Sequence, residues 1–79
     1  MSLEDNQILR AALSRNIRNL RKAQGLAQER LGLEAGVDRT FVSKLEREIG
    51  NPTLDILVKI ANRLGVRVVD LLEIKPEDD

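Results

Sequence analysis

Residues 38–47 read Asp-Arg-Thr-Phe-Val-Ser-Lys-Leu-Glu-Arg, and polar hydrogen-bonding side chains dominate the stretch: Arg39, Thr40, Ser43, Lys44 and Arg47. At 3.6 residues per turn Val42 and Leu45 share one side of a helix, and these five side chains fall on the other. Such a face suits contact with closely spaced acceptors. An arginine fork can hold guanine O6 and N7 together, and a lysine reaches the same atoms; a matched pair discriminates by about 1–3 kcal/mol. Arg39 and Thr40 at the tip, with Lys44 one turn later, are therefore expected at base edges. Ser43 and Arg47 are expected on the sugar-phosphate backbone. Phe41, the one aromatic in the chain, either packs on that backbone or covers Val37 and the core edge.

The flanking residues supply what would hold this helix in place. Residues 28–35 predict a first short helix, with Leu31 and Ala35 one turn apart on one face. Gly36 follows, where a left-handed residue closes a helix without side-chain penalty. Val37 is an apolar plug in the turn, and Asp38 has the oxygen that caps free amides at the start of a second helix over 39–46. Gln28, opening the first helix, is expected to offer its side-chain amide and the helix's free amides to a phosphate. A short helix with a narrow apolar seam and a donor-rich outer face is what the DNA major groove admits.

Composition narrows the alternatives. The 79 residues make one small domain without Cys or His, so disulfides, thiolate or imidazole metal sites and His-based acid–base chemistry are excluded. No apolar run is long enough to span a bilayer, and the N-terminus lacks a basic-then-apolar pattern, so a soluble, cytoplasmic protein is expected. Net charge is zero but unevenly spread. Residues 10–47 carry nine basic and four acidic side chains, a local +5, against −2 before them and −3 from Glu48 onward. Such asymmetry is a better footprint for a polyanion than the overall balance. About half of the arginines are expected merely to solvate helix faces.

Four further features complete the bundle. Leu9, Leu13, Ile17 and Leu20 stripe a long first helix over 3–24, with Ser2 or Asp5 as cap and Glu4 and Asp5 at its positive end. Asn51-Pro52 marks a turn, and Thr53 caps a helix over 54–64 whose apolar face is Leu54, Leu57, Val58, Ile60, Ala61 and Leu64, ended by Gly65. A last helix over 68–74 is unusually apolar: Val66, Val68, Val69, Leu71, Leu72 and Ile74 are expected to exceed what so small a core can bury. Ile8 and Leu9 extend the first helix, either to cover the core or to meet a second copy.

Gly25-Leu26-Ala27-Gln28-Glu29-Arg30-Leu31, Ala35-Gly36-Val37-Asp38-Arg39-Thr40, Val42-Ser43-Lys44-Leu45-Glu46-Arg47 and Asn51-Pro52-Thr53 together resemble the Cro/repressor-type helix-turn-helix family. The likeness runs from about Leu13 to Leu72, and the 38–43 segment is closest in kind to restriction–modification controller proteins. The resemblance implies an all-α, five-helix lambda-repressor-like domain with a central helix-turn-helix at about 28–46. It also implies an ion pair between Arg21, late in the first helix, and Glu46, at the end of the recognition helix. Asn51 joins Gln28, Ser43 and Arg47 as an expected phosphate contact. Dimerisation is implied through the C-terminal helix, with Val69, Leu72 and Ile74 at the interface. Three positions depart from the family pattern: Ala27 where a Ser or Thr caps, Gly32 where a small Ala is usual, and Glu48-Ile49-Gly50 in place of a more basic turn.

The function that follows is a sequence-specific, homodimeric transcriptional regulator on a palindromic double-stranded operator, with no cofactor, membrane or small-molecule partner expected. A self-regulating controller of a neighbouring operon would behave this way. An antitoxin, or a protein-interaction module on the same fold, is the alternative. An enzyme is the weakest case, because Asp38, Glu46 and Asp55 read as a cap, a helix pair and a first-turn acid.

Overall fold

Apolar residues at helical spacing recur in every segment between turns, and each stripe closes on the same centre. A computed structural model describes residues 6–76, and those residues contain helices and no strand. The elements are α1 (Asn6–Ala23), α2 (Gln28–Ala35), α3 (Arg39–Glu46), α4 (Leu54–Leu64) and α5 (Val68–Leu71). The caps expected at Ser2 or Asp5, and the acidic ends of the chain, lie outside the described residues.

Leu13 and Ile17 from α1, Leu31 from α2, Val42 and Leu45 from α3, Leu57, Ile60, Ala61 and Leu64 from α4, and Leu71 from α5 form one core. Ile17, Leu31, Ile60 and Leu71 are fully buried. Each such side chain contributes roughly 1.5–3 kcal/mol. Gly36 and Gly65 close α2 and α4 at φ +80° and +77°, and Thr53 Oγ1 accepts from the Ile56 amide at the start of α4. Ala27 gives α2 no side-chain cap, as its methyl dictates.

The last helix is shorter than its apolar run suggests. It ends at Leu71 because the buried Asn16 amide donates to Leu71 O at 2.9 Å and to Glu73 O at 3.0 Å, capturing carbonyls a longer helix would use itself. Val66, Val68 and Leu72 pack on the core beside the buried Leu71, so only part of the apolar run is left outside it, as expected from sequence. Val69 stands out at 59% exposed, while Ile74 is half-buried beyond the helix. Leu9 is half-buried and lines a cleft with Leu13, Leu57 and Leu72.

Candidate nucleic-acid interface

The recognition helix is fixed from three sides. Its inner seam, Val42 and Leu45, is buried in the core. Its start is capped by Asp38, whose Oδ1 accepts from the Thr40 amide at 2.9 Å and from the Thr40 hydroxyl at 2.9 Å. Those two hydrogen bonds hold the exposed Asp38 carboxyl below its ordinary value, the backbone bond contributing most. Its end is held by α1: Ser14 Oγ and Arg18 Nη2 each donate to Glu46 O at 2.7 Å.

Arg21 and Glu46 lie between α1 and α3, with side chains 11% and 4% exposed. Arg21 also donates Nη1 to Leu26 O at 2.6 Å, which ties down the entry to α2. Glu46 is buried, and burial pushes its carboxyl up. Hydrogen bonds from Arg21 and Gln28, with the charges of Arg21 and Arg18, outweigh that and hold it below its ordinary value.

Close packing joins α2 to α3. A β-carbon built on Gly32 would stand 3.0 Å from Arg39 Cα and 3.1 Å from Val37 O. The glycine therefore trades helix propensity for a tight approach between the two helices. The turn after α3 is closed by the same pair of backbone bonds as those after α2 and α4, but without a glycine. The Ile49 amide donates to Lys44 O at 2.9 Å and the Glu48 amide to Leu45 O at 3.1 Å, a double closure that places Glu48 at φ +64° where glycine is usual.

On this frame Arg39, Thr40 and Lys44 are all exposed on one helix, and Arg47 is exposed at its C-terminal end. Ser43 is half-buried among them. Two expected phosphate contacts are partly engaged elsewhere. Gln28 Nε2 donates to Glu46 Oε1 at 3.0 Å, which engages one N–H of its side-chain amide, and no side chain caps the first amides of α2. Asn51 Oδ1 accepts from Arg10, which also donates to Gly50 O at 2.5 Å. Thr40 has its hydroxyl hydrogen committed to Asp38, so its methyl and lone pairs are what it presents. Phe41 is 38% exposed and stands outside the core.

The basic half of the chain is less open than its charge count suggests. Arg10, Arg15, Arg18 and Arg21 on α1 all donate to carbonyl oxygens of the protein. Arg30 and Arg63 both lie against Glu34. Lys44 and Arg47 are exposed along α3 and its end, and Arg39, also exposed, lies against Glu29. Ser14 and Asn16, the buried polar partners that brace α3 and α5, carried no chemical signature. Ser14 does sit next to Leu13 and three residues before Ile17, at the edge of the apolar stripe, where a short hydroxyl can face another helix.

Comparison with known proteins agrees with this fold. The chain is 44% identical over 70 residues to a protein of Neisseria meningitidis described as a Neisseria hypothetical transcription factor, covering 89% of this chain and 66% of that one. The crystal structure of the hypothetical transcription factor NHTF from Neisseria superposes with a TM-score of 0.83 at 42% identity, over 98% of this chain and 88% of that one. Control protein C.BamHI of Bacillus amyloliquefaciens is 35% identical over 66 residues, 82% of each chain. Helix-turn-helix family HTH_3 matches residues 17–71, and the chain belongs to that family, of the Cro/repressor type, whose members here are DNA-binding transcriptional regulators rather than enzymes.

Proposed function

We propose that this chain is a cytoplasmic, sequence-specific regulator of transcription that acts as a homodimer on a palindromic operator. The α3 helix enters the major groove, with Arg39, Thr40 and Lys44 at base edges. Ser43 and Arg47, the free edge of Gln28 with the α2 amides, and Asn51 meet phosphates. One observation supports the reading most: α3 buries its apolar seam completely while every charged donor at its start and middle points outward. That is the division of labour a groove-reading helix needs.

A second copy is expected to seat on the C-terminal side. Leu57 and Leu72 line one cleft, so the start of α4 and the end of α5 lie side by side. Leu54 and Val58 flank Leu57 and are 73% and 44% exposed; Val69, one turn before Leu72, is 59% exposed. These three side chains, with Leu72 and Ile74, are the surface expected to meet a second copy. A two-fold axis there sets the recognition helices about 34 Å apart, one turn of duplex DNA.

Selection of bound sequences from random duplexes at two salt concentrations tests the proposal. A two-fold related site whose affinity falls steeply with salt is the expected result. Recovery of no preferred sequence, or of a site without two-fold symmetry, overturns it.

A further inference from the structure

The surface meant for a polyanion carries one acid with no evident reason to be there. Glu29 lies in the first turn of α2, 71% exposed, and its Oε2 meets Arg39 Nη1 at 2.5 Å, with Arg39 itself 69% exposed. So open an ion pair adds little to folding, because water and salt screen it. It also removes positive charge from the residue best placed to read a base. An acid in the first turn suits the helix dipole, yet Gln28 beside it is equally placed and uncharged.

Position explains the pairing better than stability does. Gly32, one turn after Glu29, is where α2 touches the backbone of Arg39. The Arg39 Cα is therefore fixed against α2, and Glu29 on the same face reaches the guanidinium from the side. Gln28, Glu29, Arg39, Thr40 and Ser43 line one shallow groove between the two helices. With Nη1 held by Glu29, the other edge of the guanidinium, Nη2 and Nε, is free to face outward.

We infer that Glu29 is a specificity-determining positioning residue: it holds Arg39 on a base edge and keeps it off the neighbouring phosphates. This rests on the reading of α3 as a groove-reading helix. A long arginine without a side anchor has nearby phosphates as alternative partners, and such contacts carry no sequence information. Glu29 repels those same phosphates, so it penalises the unproductive pose and leaves the productive one.

The test compares wild type with Glu29→Gln, Arg39→Ala and the double variant, on the selected site and on that site altered at the base pair Arg39→Ala relaxes. Binding is measured at two salt concentrations, with a random duplex as the non-specific probe, and thermal melting checks folding. Glu29→Gln is expected to melt as wild type and to bind the random duplex more tightly. Its salt slope should steepen by about one, the value of one added phosphate contact. Discrimination at the Arg39-dependent base pair should fall about tenfold, within the span of one lost bidentate contact. The double variant should match Arg39→Ala at that base pair, since Glu29 acts through Arg39.

Unchanged discrimination in Glu29→Gln overturns the inference while leaving the regulator reading intact. So does relaxation at a different base pair, which would mean that Glu29 itself accepts from a base. If wild type selects no sequence at all, the parent reading fails and this one fails with it.

Discussion

The Arg21 guanidinium and the Glu46 carboxylate meet edge to edge, Nε to Oε2 at 2.6 Å and Nη2 to Oε1 at 2.9 Å, and they set the angle at which α3 leaves α1. Removing one partner of such a pair strands a buried charge. Arg21→Ala is expected to cost about 3 kcal/mol. The domain's whole stability is roughly 4–12 kcal/mol on the usual per-residue scale. Thermal unfolding should drop by more than about 10 °C, and DNA affinity should fall with it as α3 loses its brace. Melting and affinity both equal to wild type would remove the pair from any role in positioning.

The same carboxylate makes stability depend on acid. Glu46 holds its proton less readily in the fold than the ordinary value of 4.5. The unfolded chain therefore binds protons first as pH falls, so the stabilisation is complete above that value and is lost as pH drops through the folded one. Asp38, also lowered, adds in the same direction. Urea midpoints measured from neutral pH to about pH 3 should decline steeply in wild type. In Glu46→Gln they should start lower and decline less. Parallel curves for the two proteins would contradict this.

What the sequence discloses here follows from how local each feature is. The turn between α2 and α3 is legible because Gly36, Val37 and Asp38 each answer a demand of the adjoining backbone. The core is legible because Leu13, Ile17, Val42 and Leu45 keep helical spacing. The Glu29–Arg39 and Arg10–Asn51 contacts are not, because they join long side chains whose meeting depends on helix crossing angles, which no spacing encodes. The early end of α5 is hidden for a related reason. It depends on Asn16, more than fifty residues earlier in the chain, reaching Leu71 O. The same long reach turns the α1 arginines inward, so that a charge count overstates the basic surface.

Gly32 is held small by the backbone of the next helix. Alanine there needs Arg39 Cα and Val37 O to yield by a few tenths of an ångström. It also regains up to about 1 kcal/mol of helix propensity, so Gly32→Ala should stay within about 1 kcal/mol of wild type. Valine adds two methyl groups with no such room. Gly32→Val should lose about 2–3 kcal/mol by overpacking and should weaken operator binding by pushing the start of α3 outward. Chemical denaturation of the two variants decides it, and a valine form as stable as wild type would show that α2 and α3 are not packed this tightly.

Glu48 occupies a left-handed position without the freedom glycine has, at φ +64°. A side chain there costs roughly 1–2 kcal/mol, and glycine returns part of that gain by loosening the unfolded chain. Glu48→Gly should therefore raise stability by about 0.5–1 kcal/mol. An equilibrium denaturation midpoint that stays put or falls would mean the turn takes another conformation in solution.

Val69 offers the cleanest test of association, because it is 59% exposed and contributes little to the core. Across a two-fold axis its substitution by aspartate would place like charges near one another in apolar surroundings, which opposes pairing. Val69→Asp should sediment as a single chain while melting near the wild-type temperature at low protein concentration. Two linked half-sites gain about 10²–10⁴ in avidity over one. Operator affinity should accordingly fall by about 100-fold, whereas weak binding to random duplex should be nearly retained. If Val69→Asp still sediments as a pair, the contact between copies lies elsewhere, and Leu54→Asp then distinguishes the exposed face of α4 from the end of α5.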